Sequence, residues 1–381
     1  MRTPLRRRLA RAWRLAEIHL GRRRLSSGPA TINIELTGRC NVKPPCTFCV
    51  GKNLPDYQEP GHLDWERYWP QLLKAERVND CSFGEPLLHP AFEATVERLA
   101  AAGVKFGFTS NGLLLDERRA RFLAERGPCL DMCVSLNAAS RETYFQHHGR
   151  SFDKVVSNLE RFVALHESLH PGAPMPLVVS FIVMRSNRHE VVPFLRLAGR
   201  LGARAALLRH LFDVAAGDFA VNNFGLDFVY ERERLRFEEY QEIEAGIRRG
   251  PEFSPSDQTW GGARGARPPL ELYFAWNSKD AFIAEQAEPG IDIPCLFPWK
   301  FLCVRPLHGS FNPCVYLKAK SVAPSPDASF EEVWNGEVMR GLRRSLAKGE
   351  IPAFCMANGH TCPLVLERRS DARLLQVEVR R

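Results

Sequence analysis

No stretch of this 381-residue chain stays apolar for the roughly 20 residues that a membrane-spanning helix requires, which excludes a transmembrane span. A secretory apolar region is also missing, and the eleven cysteines are an odd number. Both argue against a disulfide framework and for a reducing cytoplasm. Acid is nearly absent from the first 24 residues: Arg2, Arg6, Arg7, Arg8, Arg11, Arg14, Arg22, Arg23 and Arg24 face only Glu17, and this excess equals the net charge of +8 of the whole chain. Within that segment Leu5, Leu9, Trp13, Ala16 and Leu20 recur at helical spacing. Residues 1–30 therefore read as a basic amphipathic helix of the kind that lies on anionic membranes or phosphate-rich partners, giving a cytoplasmic protein peripheral contact at the inner membrane face. The plainer alternative is a leading helix that caps an open barrel with solvated arginines; a targeting peptide is a third. With 45% hydrophobic residues, the chain can bury one large domain and one smaller one.

What is present begins with Cys40, Cys46 and Cys49, which follow directly on the alternating segment 32–37 and so lie on the first loop leaving a strand. A local trio of thiolates suits an iron-sulfur cluster with one iron left open to a small ligand. Half of a structural zinc site is the other reading, although such sites normally find a second cysteine pair. Further along, Gly84-Glu85-Pro86, Thr109-Ser110-Asn111-Gly112 and Ser135-Leu136-Asn137 each end a short apolar run. Helical patterns separate these ends, among them one that starts at the Asp64 cap with Trp65, Tyr68 and Trp69, one led by Phe92, and one running from Phe152 to Val163. The pattern predicts βα units and a parallel barrel with its site at the C-terminal rim. Strand five is expected over 177–184, its helix over 191–201 and strand six over 204–211, making a partial barrel of six units. Alternation places Glu35, Lys105 and Asp131 on the polar, luminal strand faces, where three charges should form a network. Glu35 is the candidate to orient substrate or accept a proton. Cys81 and Cys129 have no partner spacing and are expected in the core.

Taken in order, these motifs resemble the radical S-adenosylmethionine (SAM) enzymes over residues 31–211. Two departures stand out. Five residues, Asn41 to Pro45, fill the first cysteine gap where three are usual, and Phe83 occupies the place of a common glycine. The resemblance implies that Cys40, Cys46 and Cys49 bind a [4Fe-4S] cluster whose open iron is chelated by SAM. It further implies that Phe48 touches the adenine, that Gly84 and Glu85 hold the methionyl amine, and that Ser135 and Asn137 reach the ribose or carboxylate. Asn111 is either a cofactor contact or part of a tight turn. A flavodoxin or ferredoxin is the implied electron donor.

Residues 212–290 read as a helical insertion followed by a Pro-, Gly- and Ser-rich linker over 250–269. Cys295, Cys303, Cys314, Cys355 and Cys362 then gather in the last 87 residues, with Gly309 five positions before Cys314 and Trp334-Asn335-Gly336 preceding the closing pair. That arrangement over 291–365 resembles the auxiliary-cluster domains called SPASM and twitch. It implies a second [4Fe-4S] cluster on Cys295, Cys314, Cys355 and Cys362, leaving Cys303 as an alternate ligand, proton donor or buried thiol; a structural zinc site is the other reading of the group. Residues 366–381 form a tail. The fold class expected is α/β, a partial (βα)6 TIM-type barrel with a smaller C-terminal auxiliary domain. No cobalamin-binding domain is apparent. The function expected is reductive cleavage of SAM and hydrogen abstraction from a small biosynthetic intermediate such as a sugar or nucleotide, with no nucleic-acid partner. A maturase of a ribosomally made peptide is the alternative. A zinc protein using its basic end to bind nucleic acid is an alternative of another class.

Overall fold

A computed structural model describes residues 5–49, 66–211, 220–223, 226–255, 259–261, 268–275, 287–305, 310–314, 322–323, 328–358 and 362–365. The expected Asp64 cap, Trp65, Gly309 and the tail 366–381 lie outside these residues. The described strands are β1 (Thr31–Ile34), β2 (Arg77–Asp80), β3 (Lys105–Ser110), β4 (Leu130–Ser135), β5 (Leu177–Val183), β6 (Ala205–His210), β7 (Ala220–Asn223), β8 (Leu226–Val229), β9 (Phe253–Ser254), β10 (Thr259–Trp260), β11 (Leu270–Ala275), β12 (Phe301–Arg305) and β13 (Ser310–Asn312). The chain divides into two compact units, each assembled from distant segments: residues 1–35, 62–79 and 277–381 form one, and residues 36–61 and 80–276 the other.

In the second unit the strand order is β3-β4-β5-β6-β11-β10-β9. The pairs from β3 through β6 and on to β11 are parallel, which requires helical crossovers, while the two-residue strands β10 and β9 pair antiparallel. The expected alternation holds in β4, where Leu130, Met132 and Val134 are buried and Asp131, Cys133 and Ser135 are half-buried. Phe106 and Phe108 of β3 pack against Phe92 of the helix Phe92–Ala101, with ring centroids 6.0 and 5.1 Å apart. Phe181 of β5 meets Phe194 of the helix Val191–Leu201 at 4.8 Å. Each such fully buried ring contributes about 2–3 kcal/mol by removal from water. Helix starts are set by short polar caps. Asp116 accepts from the Arg119 N–H and Ser140 from the Thr143 N–H, each satisfying a donor the first turn leaves orphaned.

Three expectations change. The 250–269 linker contributes β9 and β10, and β11 follows it as a further parallel strand beside β6, with Leu270 and Leu272 buried. Asp131 pairs not with Lys105, which is exposed, but with Arg204 at 3.2 Å; Arg204 also reaches Glu271 at 3.4 Å. Arg204 immediately precedes β6, so the bridge staples strand starts, far from the C-terminal ends that carry the motifs. Cys81 and Cys129 are half-buried rather than core residues, because each flanks a strand end.

The first unit has the order β13-β12-β1-β2, with β12 parallel to β1 and antiparallel to β13. Its N-terminal helix, Leu5–His19, buries a mixed face. Arg14 pairs with Glu76 at 2.6 Å and donates to the Gly28 carbonyl, Glu17 accepts from Ser26 and Ser27, and Ile18 is buried. The helix is thus part of the fold. Trp334-Asn335-Gly336 joins two short helices, Phe330–Trp334 and Glu337–Leu346. Asn335 clamps the backbone of Leu25 in both directions at 2.8 Å. Fully buried Arg343 donates to the carbonyls of Pro298, Arg23 and Trp334 and lies 4.6 Å from the Trp334 ring centroid. Three separate segments close on this one guanidinium. Arg343→Met should therefore cost about 3–5 kcal/mol, since it orphans three carbonyls at once, two of them buried. A denaturant titration with an unchanged slope and a lower midpoint would show it; a midpoint within error of wild type would refute it.

Candidate functional site

The cysteine loop, 36–49, belongs to the second unit and is held from below by the turn after β2. The Leu36 N–H donates to Asp80 and to Ser82 Oγ, and the Thr37 N–H also donates to Ser82 Oγ. Gly84 and Glu85 then donate their N–H groups to the carbonyls of Thr37 (3.2 Å) and Arg39 (2.7 Å). A Cβ at Gly84 would lie 2.3 Å from the Arg39 carbonyl oxygen and 2.7 Å from that of Thr37. Only glycine permits the approach.

Glu85 is almost completely buried, and its carboxylate is fully engaged by the chain. Oε1 accepts from the Leu87 N–H and the Ser110 hydroxyl, and Oε2 from the Asn111 N–H at 2.7 Å. Burial pushes its carboxyl up to about 7 in spite of those bonds, which act the other way. Asn111 continues the chain of contacts. Its side-chain amide donates to Asn41 Oδ1 at 2.8 Å and lies 3.9 Å from Cys40 Sγ. The Cys40 thiol is itself pushed up to about 11 by burial and, to a lesser degree, by the charges of Glu85 and Cys49. Three motifs separated along the sequence therefore meet: the cysteine loop, Gly84-Glu85 and Asn111.

On its other side the loop rests on the helix Arg141–His148. Cys46 Sγ is 3.1 Å from His148 Nδ1, and Thr47 Oγ1 is 2.9 Å from His147 Nδ1. The Thr47 N–H also donates to the His147 carbonyl. Phe48 sits at 6.0 Å from the His147 ring and edge-on at 5.2 Å from that of His148. Burial lowers both imidazoles, His147 to about 4 and His148 to about 3. Ser135 is half-buried with its hydroxyl 3.5 Å from that of Ser180. Asn137 is fully buried, and its amide is occupied by the Ile182 N–H and by His148. The two histidines escaped the sequence reading. An adjacent pair ending a helix just before Gly149, on a helix with little apolar periodicity, was the available signal.

In the first unit, Glu35 is buried directly after β1, and Cys303 is buried on β12 in register with Asn33. Burial pushes up the thiols of Cys295, Cys355 and Cys362. Cys295 is further raised by the charges of Cys355 and Cys362, and Cys355 by that of Cys362. Cys314 follows β13 and is half-buried. Among the described residues no three Cys, His, Asp or Glu side chains are grouped to hold a single metal ion. The donor chemistry at Cys40, Cys46 and Cys49 fits a cluster, in which each thiolate takes its own iron.

The fold is an α/β arrangement of parallel strands with helical crossovers, of the partial TIM-barrel type. A family model described as the radical SAM superfamily matches residues 34–196, and that span is a radical SAM domain. The tungsten-containing aldehyde ferredoxin oxidoreductase cofactor-modifying protein of Pyrococcus furiosus is 25% identical over 185 residues, covering 47% of this chain and 50% of that one. The mycofactocin maturase MftC of Mycobacterium ulcerans is 27% identical, covering 48% and 47%. A probable GTP 3',8-cyclase of Saccharolobus islandicus is 30% identical, covering 50% and 59%. The chain spans about half the length of the curated relatives it matches. In fold it is similar to Streptococcus suis SuiB bound to the precursor peptide SuiA, with a TM-score of 0.60 at 14% identity, covering 89% of this chain and 71% of that one. It is also similar to anSMEcpe with bound AdoMet and Cp18Cys peptide, with a TM-score of 0.54 at 15% identity, covering 92% and 99%.

Gly84→Ala should separate the cysteine loop from the turn, at a cost of about 1–3 kcal/mol in overpacking. The variant is expected to fold with a lowered melting temperature and to take up less iron at Cys40, Cys46 and Cys49 on anaerobic reconstitution. Wild-type iron content would show that the close approach is not needed.

Proposed function

We propose that this chain is a radical SAM enzyme. The observation that carries the reading is Asn111, whose backbone N–H holds Glu85 while its side chain reaches Asn41 and Cys40. That one residue joins the three motifs at which a cluster and SAM would meet. Cys40, Cys46 and Cys49 would hold the cluster. When bound and reduced, it supplies the electron that splits SAM to methionine and a 5′-deoxyadenosyl radical, which abstracts hydrogen from substrate. Phe48 and the carbonyls beside Gly84 are the contacts proposed for SAM, with Ser135 beside them. Glu85, its oxygens engaged internally, serves to position that backbone. An auxiliary cluster on Cys295, Cys314, Cys355 and Cys362 would handle a further electron, with flavodoxin or ferredoxin as the outside donor. Glu35 and Cys303 are proposed as substrate-side groups.

For the substrate we favour a polypeptide over a small intermediate. SuiB and anSMEcpe, each with a peptide, align over 89% and 92% of this chain, and the maturase MftC is among its relatives. The likeness to a probable GTP 3',8-cyclase, over 50% of the chain, supports the small-molecule reading. Replacing Cys40, Cys46 and Cys49 together by Ala should lower iron content by about half, one cluster of two, and abolish formation of 5′-deoxyadenosine. Unchanged iron in the triple variant would end this reading and return the zinc alternative.

The N-terminal helix supports a second proposal, contact with an anionic membrane. Leu9, Trp13 and Leu20 are 61%, 47% and 67% exposed, at helical spacing on a face opposite the buried Ile18. Arg8, Arg11, Arg22, Arg23 and Arg24 are exposed around them. Because Arg14, Glu17 and Ile18 are buried, truncation would damage the fold, so the surface must be tested by substitution. Leu9→Ser with Leu20→Ser should weaken binding to vesicles containing anionic lipid by on the order of 10-fold, by loss of apolar contact, and leave SAM cleavage intact. Wild-type binding should itself weaken as salt rises. Equal binding by the double variant, or to neutral vesicles, would defeat the proposal.

A further inference from the structure

The contact between Cys46 and His148 has a direction that the surrounding hydrogen bonds fix. Asn137 Oδ1 accepts the Ile182 N–H at 2.8 Å, so the amide cannot be turned over without setting its NH2 group against that donor. Its Nδ2 therefore faces His148 Nε2, 3.1 Å away, and donates to it. An Nε2 that accepts carries no proton, and a neutral imidazole then keeps its proton on Nδ1. Nδ1 is the atom 3.1 Å from Cys46 Sγ.

Asn137 is itself held in place. It has φ of 54°, the left-handed region that costs a non-glycine residue about 1 kcal/mol or more, and it keeps this conformation under several constraints. Its carbonyl accepts from Asn187 Nδ2 at 3.3 Å, and Asn187 Oδ1 in turn accepts from the Met184 N–H at 2.7 Å. The imidazole is clamped on its faces as well. Tyr144 stacks on it at 4.8 Å and 22°, and Phe48 meets it edge-on at 5.2 Å. His147 offers a contrast. The Ser186 hydroxyl donates to Glu233 at 2.7 Å and so accepts from His147 Nε2–H, which leaves His147 Nδ1 to accept from the Thr47 hydroxyl, the opposite tautomer.

Resting on the reading of Cys46 as a cluster ligand, we propose that His148 is a positioning residue. Locked by Asn137 as the Nδ1–H tautomer, it donates an N–H···S hydrogen bond to the Cys46 thiolate and raises the reduction potential of the cluster. A donor aimed at a ligand sulfur stabilises the more negative, reduced state more than the oxidised one. The same bond fixes the direction in which the thiolate meets its iron.

The test compares holoprotein carrying wild-type His148, His148→Phe and His148→Gln. Phe keeps the aromatic packing and removes the donor; Gln restores an N–H near the sulfur. Anaerobic redox titration followed by electron paramagnetic resonance should place the midpoint of the cluster on Cys40, Cys46 and Cys49 at a more negative potential in the Phe variant, with partial return in the Gln variant. In wild-type protein with 15N-labelled histidine, a hyperfine coupling to His148 Nδ1 is expected in the reduced cluster and should be absent from the Phe variant. A wild-type midpoint in a Phe variant with full iron would overturn the proposal. Should the Phe variant fail to take up the cluster, the nitrogen shifts of wild-type oxidised holoprotein decide: a proton on His148 Nδ1 supports the bond and a proton on Nε2 overturns it. Wild-type protein without iron on the three cysteines would instead refute the radical SAM reading itself.

Discussion

The site depends on a carboxylate that the fold has taken out of water. An ionised carboxyl buried without partners costs several kcal/mol, so wherever Glu85 sits the chain must supply donors. It supplies three: the Leu87 and Asn111 N–H groups and the Ser110 hydroxyl, the last two from the end of β3. Satisfying Glu85 therefore fixes where β3 ends relative to the turn after β2. The residue's own N–H, with that of Gly84, fixes the cysteine loop to the same turn. The carboxyl is still raised to about 7, because burial outweighs its three donors. The sign follows from that direction. A carboxyl whose folded value lies above its unfolded one opposes folding once ionised, so this contribution is most favourable at low pH and is lost as pH climbs from about 4.5 to 7. Holding the three motifs together costs stability near neutral pH, and a bound cation at this end would offset the cost.

Much of this was legible along the chain because strands and helices bury one face each. The alternation in β4 identified that strand, and the helix expected over 191–201 came out to the residue. Strand ends bearing Gly84-Glu85, Ser110-Asn111 and Ser135 were visible as polar stops on apolar runs. What could not be read were contacts set by register. Asp131 meets Arg204 because β4 and β6 both flank β5, and the sequence does not say which cation reaches which acid across a sheet. β11 was hidden for a related reason: its alternation is short and follows a Gly- and Pro-rich stretch that reads as a linker.

The N-terminal helix shows what an apolar pattern leaves out. Its apolar residues at helical spacing suggested a side that lies on a membrane, and Leu9, Trp13 and Leu20 are exposed. The packed side holds Arg14 and Glu17, which the hydrophobic pattern discards. Both can be buried because each finds a specific partner, Arg14 in Glu76 and the Gly28 carbonyl, Glu17 in the two serines after the helix. Partner-satisfied charges are invisible to periodicity.

The length of the first cysteine gap also finds its counterpart. Five residues between Cys40 and Cys46 give the loop more conformations to lose than three would, a modest entropic cost that grows slowly with length. The loop meets this with anchors at both sides of the gap: Asn41 on Asn111, and beyond the gap Cys46 on His148 and Thr47 on His147 through both backbone and side chain. The two histidines stand on adjacent residues at the end of one helix, whose start is capped by Ser140 and whose last turn is closed by the Gly149 N–H on the Phe145 carbonyl. A rigid helix end thus carries the far side of the loop, and Glu85 with Asn111 carries the near side. The cysteines are held between two supports, so the order that the proposed cluster would need in its ligands is largely supplied by the chain itself.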